Sequence, residues 1–253
     1  SNNDQGYVIY AGAAPSVHLY YLSTLFPRLK FILVDPNKFL IRVENEQEQN
    51  KIIYMRVNAD RNICKQIFDY DKKKPIKVNG GETPHFRMND AIEFIKNSHL
   101  SVFIFQGLFT DEMADAFRNF GKSKPIYFIS DIRTSAVENL PSETDVIWNM
   151  AQQYVWVNML NPIKSMLKFR FPYDPEINKV TWDKFQGVFT KARGYGIDFE
   201  SDYSQDILSY PKGKIFIQPW APLSSTETRY VIDQKDIHEI VQRKAKCIAM
   251  VTE

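Results

Sequence analysis

A lysine set among apolar residues is the first place in this chain to look for chemistry. Lys168 stands in the strand-like run Met166-Leu167-Lys168-Phe169-Arg170-Phe171. An isolated buried ammonium is costly, so it must reach solvent or find a carboxylate. Two acids meet that need. Asp131 follows the run Phe128-Ile129-Ser130, at the carboxyl end of a strand, where open α/β sheets bind their ligands. Its alternative role is a helix cap or an ion pair with Arg133. Glu227 stands between the stretch Pro219-Trp220-Ala221-Pro222 and a strand pattern opening at Thr228, so it lies either at the same sheet edge or on an ordinary surface. A lysine held between an aspartate and a glutamate would be satisfied.

A second constellation points to a ligand. The turn Tyr10-Ala11-Gly12-Ala13-Ala14-Pro15-Ser16-Val17-His18 follows an apolar strand and leads into a helix. Small side chains there let backbone approach a ligand closely, and a helix N-terminus favours anionic groups. The next strand, Phe31-Ile32-Leu33-Val34, ends in Asp35, which is placed to accept hydrogen bonds from a ribose diol. Together they indicate a nucleoside. A dinucleotide fingerprint needs three glycines to seat a pyrophosphate, whereas this turn holds Gly12 alone, so S-adenosylmethionine is preferred to NAD.

These residues need elements to position them. Short apolar runs at 7–10, 31–34, 52–57, 102–105, 126–130, 166–171 and 214–218 read as strands, with a further one at 228–232. Helical patterns fall at 17–25, 111–120 and 145–160, the last opening after Ser142 and Thr144 and ending at Asn161-Pro162. Strands alternating with helices predict an α/β fold with a mostly parallel central sheet and helices on both faces. Residues 69–90, with Lys72-Lys73-Lys74, Pro75, Gly80-Gly81 and Pro84, read as solvated loop: an exposed insertion, or a lid over RNA phosphates. Residues 179–212 interrupt the alternation a second time.

Bulk composition sets limits. With 253 residues, 44% hydrophobic and 14% aromatic, the chain can bury one large α/β core, so residues 1–253 read as a single domain. A net charge of +2 does not by itself announce a nucleic-acid binder; attraction for phosphate must come from local clustering. Cys64 and Cys247 have no CxxC partner and read as structural thiols in a reducing compartment. No apolar run approaches the roughly 18 residues of a membrane span, and no metal-ligand spacing stands out.

Taken in order, these blocks resemble the FtsJ-like 2′-O-methyltransferases with a Rossmann-like fold, and most closely the poxvirus cap-specific 2′-O-methyltransferase family, whose members also serve a viral poly(A) polymerase. The resemblance rests on Tyr10 to Pro15 with His18; on Val34-Asp35; on Ile129-Ser130-Asp131-Ile132-Arg133; on Asn149 and the run from Asn161 to Arg170; and on Gln218 to Pro222 with Glu227-Thr228-Arg229. It implies an S-adenosylmethionine-dependent methyltransferase of the mRNA cap. Of the family's Lys-Asp-Lys-Glu tetrad, Asp131, Lys168 and Glu227 carry over, with Lys168 as candidate base and the two acids orienting it. The first lysine should precede the first strand; residues 1–6 contain none, so it either lies upstream of Ser1, which is the preferred reading, or has been lost.

The same resemblance implies that Tyr10, Gly12, Ser16, His18, Asp35 and Asp131 line the cofactor, with Phe109 near the adenine. Ser16 stands where the family usually has glycine, and His18 is otherwise an ordinary first-turn residue. It implies a cap site in which Tyr173 stacks on the methylated guanine and Asp174 contacts the base, helped by Arg133 and Asn149; Tyr173 as a packing residue is the alternative. Implied partners are capped mRNA and a poly(A) polymerase or other capping proteins, with no membrane, in the cytoplasm of a cell infected by a large DNA virus. Residues 64–98 and 179–212 read as insertions relative to that family.

Overall fold

The structure, a computed structural model, describes residues 5–41, 52–57, 63–69, 74–75, 86–134, 142–171, 185–203, 207–218 and 227–244. Its contacts group into two compact units, Ser1–Ile129 and Ser130–Glu253.

In the first unit the chain runs β1 (Gly6–Ala11), α1 (Leu19–Leu25), β2 (Leu29–Val34), β3 (Ile52–Val57), β4 (Ile63–Asp69), β5 (Lys74–Pro75), β6 (Phe86–Arg87), α2 (Met88–Asn97), β7 (Val102–Gln106), α3 (Asp111–Phe117) and β8 (Ile126–Ser130). The strand order is β8-β1-β2-β7-β3-β4-β5, with β6 on β4. The pairs β1–β2, β2–β7 and β7–β3 are parallel, and β3–β4 is antiparallel. Parallel strands buried on both faces must be continuously apolar. Hence Ile9, Ile32, Leu33, Val34, Phe103, Ile104 and Phe105 are all inaccessible. Each such side chain stabilises the fold by about 1.5–3 kcal/mol. Because β2 and β8 flank β1 on opposite sides, the carboxyl end of β1 is a switch point, the place where α/β sheets open a ligand crevice.

Two caps fix helices here. Thr110 Oγ1 accepts from Met113 N–H at 3.3 Å and starts α3. Lys30 Nζ donates to the carbonyls of Ile95, Lys96 and Ser98 at 2.6, 3.0 and 2.7 Å, satisfying the carboxyl end of α2 from a neighbouring strand. Burial draws the Lys30 ammonium below its ordinary pKa.

The second unit contains α4 (Glu143–Leu160), β9 (Lys164–Phe169), α5 (Gln186–Gly194), α6 (Phe199–Tyr203), β10 (Ile207–Pro211), β11 (Lys214–Ile217), β12 (Thr228–Asp233) and β13 (Ile240–Lys244). Ser142 and Asp145 form a reciprocal capping box at the start of α4, and Asn161 ends it with a left-handed φ of 46°. β9, β12 and β11 pair antiparallel, as do β10 and β13. One face of this sheet carries an aromatic core: Phe169 stacks on Tyr230 at 4.7 Å, and Tyr210 meets Tyr230 at 5.2 Å. Each buried phenol finds a carbonyl: Tyr154 donates to Tyr195, Tyr210 to Met150 and Tyr230 to Pro211. Burial pushes the Tyr210 phenol well above its ordinary pKa.

The α/β class with a mostly parallel sheet of Rossmann-like order is as expected. Three local expectations change. The helix expected from residue 17 begins at Leu19, because Ser16 takes a left-handed φ of 49° and His18 is not helical. The stretch expected as loop through residue 90 carries β5 and β6, and α2 starts inside it at Met88. Within 179–212 lie α5, α6 and β10. No helix among the described residues is long and apolar enough to cross a membrane.

Candidate active site

Lys168, Asp131 and Glu227 come together. Lys168 Nζ lies 3.2 Å from Asp131 Oδ1 and 2.9 Å from Glu227 Oε2. The remaining oxygen of each acid is held by an arginine: Arg229 Nη2 donates to Asp131 Oδ2 at 2.9 Å, and Arg133 Nε donates to Glu227 Oε1 at 2.8 Å. The result is a chain of alternating charge, Arg229–Asp131–Lys168–Glu227–Arg133, with three cations against two anions. Lys168 is 18% exposed, so its ammonium is largely buried yet reachable.

Strand geometry explains the placement. Antiparallel register sets Arg229 directly opposite Lys168, and residues opposite each other share a face. Alternation sends their neighbours Tyr230 and Leu167 to the other face, where both are buried in the core. Gln153 Nε2 of α4 donates to the Lys168 carbonyl at 3.1 Å and ties β9 to the helix. Asp131 and Arg133 leave the end of β8, and Glu227 immediately precedes β12. Arg229 was not among the expected site residues. Its signal was present, since Glu227 and Arg229 are two apart at a strand and so address one face.

Electrostatics follow from these contacts. Burial pushes the Glu227 carboxyl up, but the Lys168 ammonium and Arg133 outweigh it and hold it below the ordinary glutamate range. Burial draws the Arg133 guanidinium down, against the opposing pull of Glu227. Among the described residues, Arg133 Nη2 and Arg229 Nη1 are buried donors with no hydrogen-bond partner. Arg170 pairs separately with Glu143.

Of the candidate cofactor residues, all but Asp131 lie in the first unit, where Gly12 and Asp35 form a corner. Gly12 takes a φ of 76°, a conformation that favours glycine, and its N–H donates to the Val34 carbonyl at 2.9 Å. Asp35 is 6% exposed; its Oδ2 accepts from Ala14 N–H at 3.1 Å and its Oδ1 from Asn37 N–H at 2.7 Å. The carboxylate therefore organises the turn. An ionised carboxylate has about four acceptor positions, so roughly two stay open to a ribose diol. The residues thus fit a nucleoside cofactor, with a glycine where backbone must come close and a buried acid at the end of β2.

Other expected residues fall as follows. Ser16 folds its hydroxyl back onto the Ala13 carbonyl. Its φ of 49° is a left-handed conformation that favours glycine. His18 is exposed and makes no side-chain cap. Tyr10 is half-buried against the core. Phe109 packs into an aromatic core with Phe128 at 5.7 Å and Phe117 at 6.1 Å, while its neighbour Leu108 is 68% exposed beside Gly107, whose N–H donates to the Asp35 carbonyl at 3.1 Å. Leu108 is thus an exposed apolar side chain on the loop that follows β7. Asn149 is fully buried, with Nδ2 donating to Thr134 Oγ1 at 2.9 Å and to the Asp145 carbonyl. Tyr173 and Asp174 lie outside the described residues. Among the described residues no cluster of His, Cys, Asp and Glu could hold a metal ion.

Comparison with known proteins bears on the charged cluster. The family model for the poly(A) polymerase regulatory subunit matches residues 89–249, more than half of the chain. That span includes Asp131, Arg133, Lys168, Glu227 and Arg229 and begins after the Gly12–Asp35 corner. Among solved structures, an antibiotic-related methyltransferase aligns at a TM-score of 0.31 and 10% identity, covering 96% of this chain and 89% of that one.

Proposed function

Because this chain belongs to the poly(A) polymerase regulatory subunit family, we propose that it is an S-adenosylmethionine-dependent methyltransferase acting on the 2′-oxygen of a ribose at the 5′ end of capped mRNA. The observation that carries this reading is Lys168 Nζ held 3.2 and 2.9 Å from two carboxylates on separate segments of chain. When bound, S-adenosylmethionine would supply a methyl carbon made electrophilic by its sulfonium. Gly12 lets the backbone approach it, and the open acceptor positions of Asp35 take its ribose. Tyr10, Ser16, His18 and Asp131 are assigned to the same cofactor, with Phe109 toward its adenine. Lys168 orients the 2′-hydroxyl and, in its neutral amine form, takes up the hydroxyl proton as the oxygen bonds to the methyl carbon and the sulfur–methyl bond breaks. Asp131 and Glu227 hold the amine in place, each braced by its arginine. Positioning of the hydroxyl supplies most of the acceleration.

Capped RNA and labelled donor test this directly: transfer that persists in Lys168→Ala removes the mechanism. A second reading has an observation of its own, since the family is described as a polymerase subunit: the fold binds RNA or a polymerase without chemistry. Calorimetry with S-adenosylmethionine separates the two, because a non-catalytic module need not bind it. Product that forms equally on uncapped RNA would shift the substrate to uncapped or ribosomal RNA. Association with a poly(A) polymerase, a viral cytoplasmic setting and a cap contact at Tyr173 and Asp174 belong to the same proposal. So does the reading of residues 1–253 as one domain, which calls for a single cooperative unfolding transition.

A further inference from the structure

We propose that the open face of β9, β12 and β11 is a track for single-stranded nucleic acid, with Phe216 as the ring on which a base stacks. This rests on the RNA substrate proposed above and extends it away from the reacting ribose. Antiparallel register sets Phe216 opposite Arg229, and Arg229 opposite Lys168. The three therefore share one face in a single row, with Phe216 two strands, or roughly 10 Å, from Lys168. The adjacent row on that face is Lys214, Val231 and Met166.

The opposite face of β9 and β12 is packed with Leu167, Phe169 and Tyr230, whereas Phe216 is 51% exposed and every residue of β11 is exposed. Large apolar side chains left open on a sheet face are a surface for something. Charge identifies the occupant. The ring stands in line with Arg229, whose side chain is 20% exposed and whose Nη2 is held by Asp131, and one row from exposed Lys214. An aromatic ring on an open sheet between cations gives a base its stacking surface and the backbone phosphates their counter-charge. A protein strand adding to the edge of β11 would use Ile217, which is 81% exposed, and would have no need of the cationic row.

The test is anisotropy of a short fluorescein-labelled single-stranded RNA, read across a salt series with the full chain and three variants. Phe216→Ala should weaken binding by about five- to a hundredfold with the salt slope unchanged, and Phe216→Trp should restore it. Lys214→Ala should lower the slope of log K against log salt by about 0.7, as expected for one lost phosphate contact on a single strand. Thermal melting should be the same for all, since both side chains are exposed. Unchanged affinity in Phe216→Ala, or a loss that Phe216→Trp does not rescue, overturns the track. So does a Phe216→Ala protein that binds RNA normally but no longer binds a polymerase subunit. If methyl transfer proceeds while Phe216→Ala binds RNA as before, the function stands and the track fails. If Phe216-dependent binding occurs without transfer, the track stands and the function fails.

Discussion

In the first unit the candidate cofactor corner is closed by backbone amides: Ala14 and Asn37 donate to the two oxygens of Asp35, and Gly12 donates to Val34. In the second unit the charged cluster is closed by side chains alone, Lys168, Asp131, Glu227 and two arginines drawn from three stretches of chain. The difference sets how each responds to substitution. A backbone-closed corner depends on one acid and one glycine, and its other side chains can vary. A chain of alternating charges loses its arrangement with any member, because each removal leaves a half-buried partner uncompensated.

The largest effect should come from Asp131→Ala, which takes one carboxylate from Lys168 and the only described partner from Arg229. Methyl transfer should fall about 10²–10⁴-fold, the scale of a lost proton-transfer arrangement, with circular dichroism unchanged. A loss under tenfold would mean that the cluster does not act as a unit.

Asp35→Ala should be intermediate. It leaves the Ala14 and Asn37 amides without their acceptor, which costs about 1–3 kcal/mol in urea denaturation. Donor affinity should fall with it, while the rate at saturating donor stays within a few-fold. Equal stability and equal affinity would show that the corner is held by something other than Asp35.

The smallest effect is a pH dependence. The folded Glu227 carboxyl is held below its ordinary value, so its contribution is present above the unfolded value, about 4.3, and is lost as pH falls through the folded one. Wild type should therefore lose more stability than Glu227→Gln on acidification below that point. Parallel curves for the two proteins would remove Lys168 and Arg133 as its stabilising partners.

The same contrast explains what could be read in the residues. The corner was legible because its parts are local: a small-residue turn after β1 and an acid closing β2. The cluster was legible only in part. Asp131, Lys168 and Glu227 can be joined by the need of a buried ammonium for carboxylates, whereas the bracing by Arg229 depends on the register of β12 against β9, which no local pattern states. The helix α2 carries buried Met88, Ala91, Ile92 and Ile95 at helical spacing, yet it is not among the helices expected from the sequence, where the Lys-, Gly- and Pro-rich run before it reads as loop through residue 90. β10 was missed because its partner, β13, lies some thirty residues away in sequence. The late start of α1 came from a left-handed Ser16, a conformation that residue type does not announce.

The central claim is that one region binds the methyl donor and the other does the chemistry. Measuring donor binding by calorimetry and 2′-O-methyl product by mass spectrometry, side by side on capped RNA, tests it for Lys168→Met and Asp35→Ala. The account predicts that Lys168→Met binds donor as wild type does and forms no product, while Asp35→Ala loses binding and recovers product at high donor concentration. Product formed by Lys168→Met at the wild-type rate would contradict it.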